Sequence, residues 1–181
     1  MSVFTNPASR SAEQASAYTT AILGLLGTQD PLHVLGQTSH AIELALAGCT
    51  PHQLVTREAP GKWSVQHVLR HMADSEIVWA YRMRLVLAQE RPPLTGYDQD
   101  LWAERLGYAE ADIKQSLSEF TVLREGNLRL LRKAGPADLT RVGVHAERGE
   151  ESVERMLRLY AGHDILHLNQ IARIRKAVAE R

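Results

Sequence analysis

The most informative stretch of the sequence is residues 162–174, GHDILHLNQIARI. It places His163 and His167 four residues apart. In an α-helix this spacing is slightly more than one turn, so both imidazoles leave the same face with their Cβ atoms about 6 Å apart. Two neutral imidazoles at this separation can bind one divalent metal ion through nitrogens at about 2.0–2.1 Å. The stretch therefore predicts part of a metal site, provided that it is helical.

The spacing of apolar side chains around these histidines is typical of a helix. Apolar residues and the two histidines recur at steps of three and four, which is the period of an amphipathic helix. These positions are Met156, Tyr160, His163, His167, Ile171 and Ile174. The histidines thus occupy core positions and are expected to point into the protein. A simpler alternative is that they are packed core histidines, because the chain has eight histidines and chance pairs occur.

The composition limits the class of protein. The chain has 181 residues, which suits one domain with a sizeable core. Its 21 basic and 21 acidic residues balance, so nothing favours nucleic-acid binding. No apolar run reaches the length of a membrane span, and the N-terminus lacks the apolar core of a signal peptide, so we expect a cytoplasmic protein. The single Cys49 excludes an intramolecular disulfide and a cysteine-rich zinc site.

The chain is predicted to form four long amphipathic helices. They begin near Pro31, after Ser64, at Ala109 and after Ser152. Shorter helices are expected over residues 12–27, after Thr50 and over residues 99–105. No stretch alternates apolar and polar residues, so no sheet is predicted. We therefore expect an all-α fold, a four-helix bundle with short extra helices. It would form a single domain over residues 13–181, after a flexible tail over residues 1–12.

A third metal ligand is expected on a facing helix, because bundles bind metals with side chains from several helices. His71 is the best candidate, since it lies within the apolar stripe of the second long helix and the sequence offers it no evident partner. Three histidine ligands leave at least one coordination position open, which is typical of a catalytic metal site rather than a structural one.

Four segments together resemble the DinB/YfiT-like superfamily. They are GKWSVQHVLRHMADSE from residue 61, RMR from residue 82, YDQDLW from residue 97 and GHDILHLNQIARI from residue 162. The resemblance extends over about residues 20–176. It implies a four-helix bundle with up-down-down-up connectivity, often a homodimer, and a divalent metal held by three histidines. Matched residue by residue, these are His71, His163 and His167.

The resemblance also implies a function. Members of this superfamily are described as metal-dependent hydrolases or as transferases that act with low-molecular-weight thiols, and the family is associated with stress or DNA damage in bacteria. We expect an enzyme that acts on a small molecule, with zinc or nickel favoured among the metals that imidazole ligands suit. One alternative is a non-catalytic helical bundle that binds a metal or ligand in a stress response. Another has no metal at all.

His67 departs from the superfamily pattern, in which this position is often acidic or neutral. It lies one turn before His71 on the same helix face. Three roles are open: a fourth metal ligand, a base beside the ligands, or a solvent-facing side chain. The last two are favoured, because two ligands from one turn of one helix would crowd the site.

Two further residues are candidates for the pocket. Arg124 interrupts the apolar stripe of the third long helix, as Arg82 does in the second. A buried arginine either binds an anion near the cavity or, as we favour, pairs with a carboxylate. The candidate partners are Asp98, Asp100 and Glu76. Tyr160 lies one turn before the histidine pair and either lines the pocket or packs in the core.

Other polar residues near the histidines have weaker patterns. Asp74 and Glu76 are expected on a solvated helix face or as hydrogen-bond partners of the site. Asn169 or Gln170 could hydrogen-bond a ligand histidine and fix its tautomer. His145 is expected in a loop that could reach the site. The tryptophans are expected to pack; they are Trp63, Trp79 and Trp102. No side chain is predicted to be the catalytic base.

Overall fold

The computed structural model describes residues 12–179, and within them the chain is mostly helical. The helices are α1 (Ala12–Leu26), α2 (Pro31–Leu46), α3 (Pro51–Val55), α4 (Val65–Ala88), α5 (Gln99–Arg105), α6 (Ile113–Leu131), α7 (Pro136–Leu139) and α8 (Val153–Val178), with a 3-10 turn at Tyr108–Glu110. The predicted tail lies outside the described residues apart from Ala12. None of the described helices is long and apolar enough to cross a membrane.

The four long helices begin where the sequence supplies caps. In each, a side-chain oxygen before the first turn accepts a hydrogen bond from a free backbone N–H, which removes an unsatisfied donor. The capping residues are Asp30, Ser64, Asp112 and Ser152. Helix α6 begins at Ile113 and not at Ala109 as predicted, because Asp112 caps it and the residues before form the separate 3-10 turn.

The helices α2, α6, α4 and α8 pack in a ring, and α1 packs against the outside of α8. Pairs of contacting residues give the relative directions of neighbouring helices. These pairs are Thr38–Asp164 and Ala47–Arg175 between α2 and α8, Arg70–Glu119 and Arg84–Asn127 between α4 and α6, and His71–His167 and Trp79–Tyr160 between α4 and α8.

Residue numbers rise together in the first two helix pairs, so these helices run parallel. In the third pair they run in opposite directions, so α4 and α8 are antiparallel. The order along the chain is therefore up-down-down-up, and the predicted four-helix bundle is confirmed.

A small sheet contradicts the prediction that the chain has none. Strand β1 (Pro93–Leu94) pairs parallel with β2 (Val142–His145), which forms an antiparallel hairpin with β3 (Gly149–Ser152). Strands of two to four residues are too short to show an alternating pattern in the sequence. Gly149 allows the tight hairpin with its positive φ of 72°. His145 consequently lies in a strand, not in a loop.

A polar layer divides the core of the bundle into two apolar parts. One part contains α1, the C-terminal half of α4 and the N-terminal half of α8. The other contains the N-terminal half of α4 and the C-terminal half of α8. Between them lie the buried polar residues Thr38, His71, Asp74, Ser75, Glu76, Arg124, Asn127, His163, Asp164 and His167. The polar layer therefore crosses the bundle near the middle of α4 and α8, with an apolar cluster on each side.

Helix α1 approaches α8 closely at Gly162, the residue before the first histidine of the pair. A Cβ atom at this position would lie 2.3 Å from the backbone carbonyl oxygen of Ile22. That distance is far below van der Waals contact, so only glycine allows the two helices to meet here. By contrast, a Cβ atom at Gly126 in α6 would have its nearest neighbour at 3.8 Å.

We expect Gly162→Ala to lower the free energy of unfolding by about 1–3 kcal/mol, because α1 must move away from α8. The matched change Gly126→Ala should leave stability equal or raise it by up to about 1 kcal/mol, since alanine is the better helix former. Urea denaturation followed by circular dichroism measures both values. Equal stability of the two variants would contradict the close helix contact.

Candidate metal centre

Three histidine side chains converge in the polar layer. His71 comes from α4, and His163 and His167 come from successive turns of α8. The Nε2 atom of His163 lies 3.2 Å from Nε2 of His71 and 3.1 Å from Nε2 of His167. Their exposed fractions are only 1%, 7% and 5%. Helix α4 therefore provides one imidazole, which faces the pair on α8.

The spacing of these nitrogens suits a metal ion. For metal–nitrogen bonds of about 2.0–2.1 Å in tetrahedral geometry, neighbouring ligand nitrogens are about 3.3 Å apart. Among residues 12–179, this is the one group of three or more histidine, cysteine or acidic side chains whose ligand atoms lie within 4.8 Å of one another. The donor set therefore fits a divalent transition metal.

The protein holds His167 in the tautomer that a metal ligand needs. Its Nδ1 lies 2.9 Å from Oε1 of Gln170, one turn further along α8. When Nδ1 donates its proton to this oxygen, the lone pair is on Nε2, which faces the other two histidines. The predicted hydrogen bond to a ligand histidine thus falls on Gln170, whereas Asn169 is exposed. Within residues 12–179, no side chain or backbone group forms such a hydrogen bond with the buried Nδ1 atoms of His71 and His163.

Burial favours the neutral form of two of the three imidazoles, those of His71 and His167. It lowers the pKa of His71 well below the ordinary value, and the neighbouring His167 and His163 lower it further. Burial and the neighbouring His163 lower the pKa of His167 to about 3. Neutral imidazoles are the form that binds metal ions, so the protein prepares these side chains for that role.

The side chains that surround the histidines were partly missed by sequence reasoning. The ring of Trp63 lies 5.1 Å from that of His71, so this tryptophan covers the site and is not only a packing residue. Ser75 Oγ lies 3.4 Å from His71 Nε2 and 3.0 Å from the hydroxyl of Tyr97. Ser75 could have been found from its position one helical turn after His71. Tyr97 comes from an irregular connection and has no such signal.

A cavity of about 480 Å³ opens beside the histidines and reaches them at His167. Trp63 and Gln170 also line it, together with charged residues of both signs. These charged residues are Arg57, Glu58, Lys62, Asp100, Glu104 and Glu110. A volume of this size is that of a pocket for a small molecule.

His67 is part of the wall of this cavity and does not join the three histidines. Its Nδ1 lies 2.8 Å from Ser64 Oγ and its Nε2 lies 3.0 Å from Nη2 of Arg57. Burial and the charge of Arg57 lower the pKa of His67. Both nitrogens have partners, which disfavours a fourth ligand. The side chain is only 6% exposed, so the solvent-facing alternative is wrong.

Arg124 forms a buried ion network, in agreement with the structural alternative. Its guanidinium donates to Glu76 Oε1 at 3.0 Å and to Asp164 Oδ2 at 2.6 Å. Thr38 donates to the same oxygen of Asp164, and Asn127 donates to Glu76. Burial alone would raise the pKa of Asp164, but Arg124 outweighs it and lowers the pKa to about 2. Of the three predicted candidates, Glu76 is the carboxylate that pairs with this arginine.

Other predicted positions differ from the structure. Asp74 and Glu76 are 4% and 1% exposed, so a solvated helix face is wrong for both. Asp74 accepts a hydrogen bond from Tyr108 at 2.7 Å and pairs with Arg70. Tyr160 is buried, and its ring stacks on Trp79 with centroids 4.9 Å apart.

His145 is buried in β2 and is not a member of the three-histidine group. Burial and the charges of Arg148 and Arg82 lower its pKa to about 4.

Comparison with known proteins gives consistent matches. A model of the DinB superfamily matches residues 35–171. A protein of Oceanobacillus iheyensis, provisionally named a metal-dependent hydrolase, is 35% identical over 124 residues, which are 68% of this chain and 72% of that protein. YfiT of Bacillus subtilis has the same provisional name and is 30% identical over 146 residues, 78% of this chain and 82% of YfiT.

The solved structure of YfiT is similar to this chain, with a TM-score of 0.71 and 28% sequence identity. The similarity covers 79% of this chain and 84% of the YfiT chain. That protein is described as a probable metal-dependent hydrolase with an unusual four-helix bundle topology. The parallel and antiparallel helix pairs found above agree with such a topology.

The lowered histidine pKa values predict how stability depends on pH. The unfolded chain takes up protons at the ordinary pKa of about 6.5, whereas the folded chain resists protonation of His71, His145 and His167. The free energy of unfolding should therefore fall as the pH falls below 6.5. We expect the metal-free protein to lose roughly 1–2 kcal/mol per buried histidine between pH 7 and pH 5.

Urea denaturation of the metal-free protein at pH 7, 6 and 5 measures this dependence. His145→Gln should reduce the loss between pH 7 and pH 5, whereas the same change at the exposed His33 should leave it unaltered. A stability that stays constant over this range would show that the histidines protonate as easily in the folded chain as in the unfolded one.

Proposed function

The chain belongs to the DinB superfamily, and we propose that it is a metal-dependent hydrolase of a small molecule, with His71, His163 and His167 as the metal ligands. One observation carries this proposal: the buried Nε2 atom of His163 lies 3.2 Å from that of His71 and 3.1 Å from that of His167, at the edge of a cavity that can hold a small molecule. The provisional names of the relatives support it.

A divalent ion bound by three imidazoles would act as a Lewis acid, which polarises a substrate carbonyl or phosphoryl oxygen and makes water a better nucleophile. Zinc or nickel is the proposed metal, because neutral imidazoles are good ligands for both. The protein itself supplies orientation and shelter. Gln170 fixes the tautomer of His167, and Trp63, which lines the cavity, packs against the ring of His71.

The cavity wall would bind and orient the substrate. His67 and Arg57 are hydrogen-bonded to each other there, and we propose that His67 positions the Arg57 guanidinium. Arg57 is exposed, so it can reach a polar group of a bound molecule without first breaking a buried contact. The homodimer, the cytoplasmic location and the role in stress response stay predictions from the sequence.

Metal content tests the proposed ligands. We expect about one equivalent of a transition metal in the wild-type protein and its loss in His71→Ala, His163→Ala and His167→Ala, because each change removes one of three bonds. His33→Ala removes an exposed histidine and should keep the metal. Elemental analysis of protein purified without an affinity tag or chelator measures this content. The metal should also dissociate below about pH 6, where protons compete for the imidazoles.

If the metal content is the same in the wild type and in all three variants, these histidines are not the metal ligands. Circular dichroism controls for folding of each variant. If neither the purified protein nor added zinc or nickel gives a bound metal, the histidines are packed core residues.

Activity tests the reaction class. The metal-loaded protein should hydrolyse at least one member of a panel of small chromogenic esters, amides and phosphoesters, and His163→Ala should lower the rate by about 100-fold or more. Chelation should abolish the activity, and added metal should restore it. Product that forms only when a low-molecular-weight thiol is added would instead indicate the thiol transferase. A metal-loaded protein inactive in both assays would favour the non-catalytic alternative.

A further inference from the structure

A second, smaller cavity meets the histidine cluster at His163. Its volume is about 30 Å³, and Ser75, Tyr97, Arg82 and Arg148 are among the residues that line it. The large cavity reaches the cluster at His167 instead, and the residues that line the two cavities do not overlap. The two cavities therefore meet the cluster at different histidines, and two arginines line the small one.

Arg82 has an unusual environment for a buried guanidinium. It is only 5% exposed, yet within residues 12–179 no carboxylate forms an ion pair with it. One guanidinium nitrogen, Nη2, donates to the carbonyl oxygen of Thr95. Its Nε has no hydrogen-bond partner in the described chain. A buried charge without a counter-charge is expensive, so this site favours an anion.

The other buried arginines show what a satisfied guanidinium in this protein has. Arg124 binds two carboxylates, and Arg148 forms two hydrogen bonds with Glu151 at 2.7 and 2.8 Å. Because Glu151 neutralises Arg148, the positive charge of Arg82 is the one left in the small cavity. Glu151 and Glu147 act on Arg82 only through space.

Arg82 stays charged at neutral pH. Burial and the nearby Arg148 lower its pKa to about 10, which is still well above 7. The neutral hydroxyl of Tyr97 lies near it and can donate a hydrogen bond. Burial raises the pKa of Tyr97, so this hydroxyl keeps its proton. The small cavity therefore has donors and no anionic acceptor of its own among the residues that line it.

We propose that the small cavity is a subsite for a carboxylate group, bound by Arg82 beside the histidine cluster. The size agrees, because a space of about 30 Å³ suits a small polar group such as a carboxylate and is too little for a whole substrate. A carboxylate matches the planar guanidinium and offers two acceptor oxygens. If the histidine cluster is the metal centre of the proposed function, on which this inference rests, the substrate of that centre is a small molecule that carries a carboxylate.

Acetate is the probe, because it is the smallest carboxylate with a methyl group in place of the rest of a substrate. It is titrated into the full chain labelled with nitrogen-15, and the indole N–H signals are followed by NMR. Trp79 lines the small cavity and Trp63 lines the large one, so the two signals report the location. We expect acetate to shift the Trp79 signal in a saturable way and to leave the Trp63 signal in place.

The charge of Arg82 is tested in two ways. Arg82→Gln should weaken acetate binding by about tenfold or more, because it removes a charge-assisted hydrogen bond. The matched control Arg129→Gln removes an exposed arginine of α6 and should bind acetate as the wild type does. Acetamide has the shape of acetate without its charge and should fail to shift Trp79. That comparison needs only the wild-type protein, so it holds even if the Arg82 variant does not fold.

Each of the opposite results overturns the proposal. The first is the absence of a saturable shift of the Trp79 signal, which would leave an ordered water as the occupant of the small cavity. The second is a shift of the Trp63 signal alone. The others are equal binding of acetate and acetamide, and equal binding of acetate by the wild type and a folded Arg82→Gln variant. The titration is made on the protein as purified and again after chelation. Acetate binding after chelation depends on Arg82 and not on the metal. The carboxylate subsite can therefore be disproved while the metal content supports the proposed function, and the subsite can be supported while the metal content contradicts that function.

Discussion

The structure depends on one buried ion network, in which Arg124 of α6 holds Glu76 of α4 and Asp164 of α8. Thr38 of α2 adds a hydrogen bond to Asp164, so all four long helices contribute. Such a network is directional, and removing one partner leaves a buried charge at a cost of about 3–5 kcal/mol. It therefore fixes the rotation and the axial position of each helix. The histidines lie in the same layer, and their meeting follows from that alignment.

The sequence predicted the parts of this design that are periodic. The pair His163 and His167 follows from a four-residue spacing, and His71 follows from an apolar stripe and the resemblance to the superfamily. Capping residues gave the starts of three of the four long helices closely. The ion pairs of the polar layer were predicted only in part. Arg124 was expected to pair with a carboxylate, and Glu76 was among the candidates, but the pairing of Arg124 with Asp164 depends on how α8 is rotated against α6. That rotation is a property of the packed bundle.

The features that the sequence did not predict come from irregular segments or from packing across helices. The sheet has strands of two to four residues, which leave no period to detect. Tyr97 reaches Ser75 from a connection whose path is set by the strands and helices around it. Trp63 stands just before a helix cap, a position at which an apolar side chain is normally explained by packing alone. Here it also covers an imidazole.

The contact between α1 and α8 has a consequence for how this protein can vary. The obstacle at position 162 is the carbonyl oxygen of residue 22, and every amino acid carries that atom. No replacement at position 22 can therefore make room for a side chain at position 162. Position 22 needs only an apolar side chain, whereas the atoms that block position 162 belong to the backbone and no substitution removes them. In a saturation library, many residues at position 22 should give a folded protein, whereas at position 162 only glycine should do so, unless α1 detaches from the bundle.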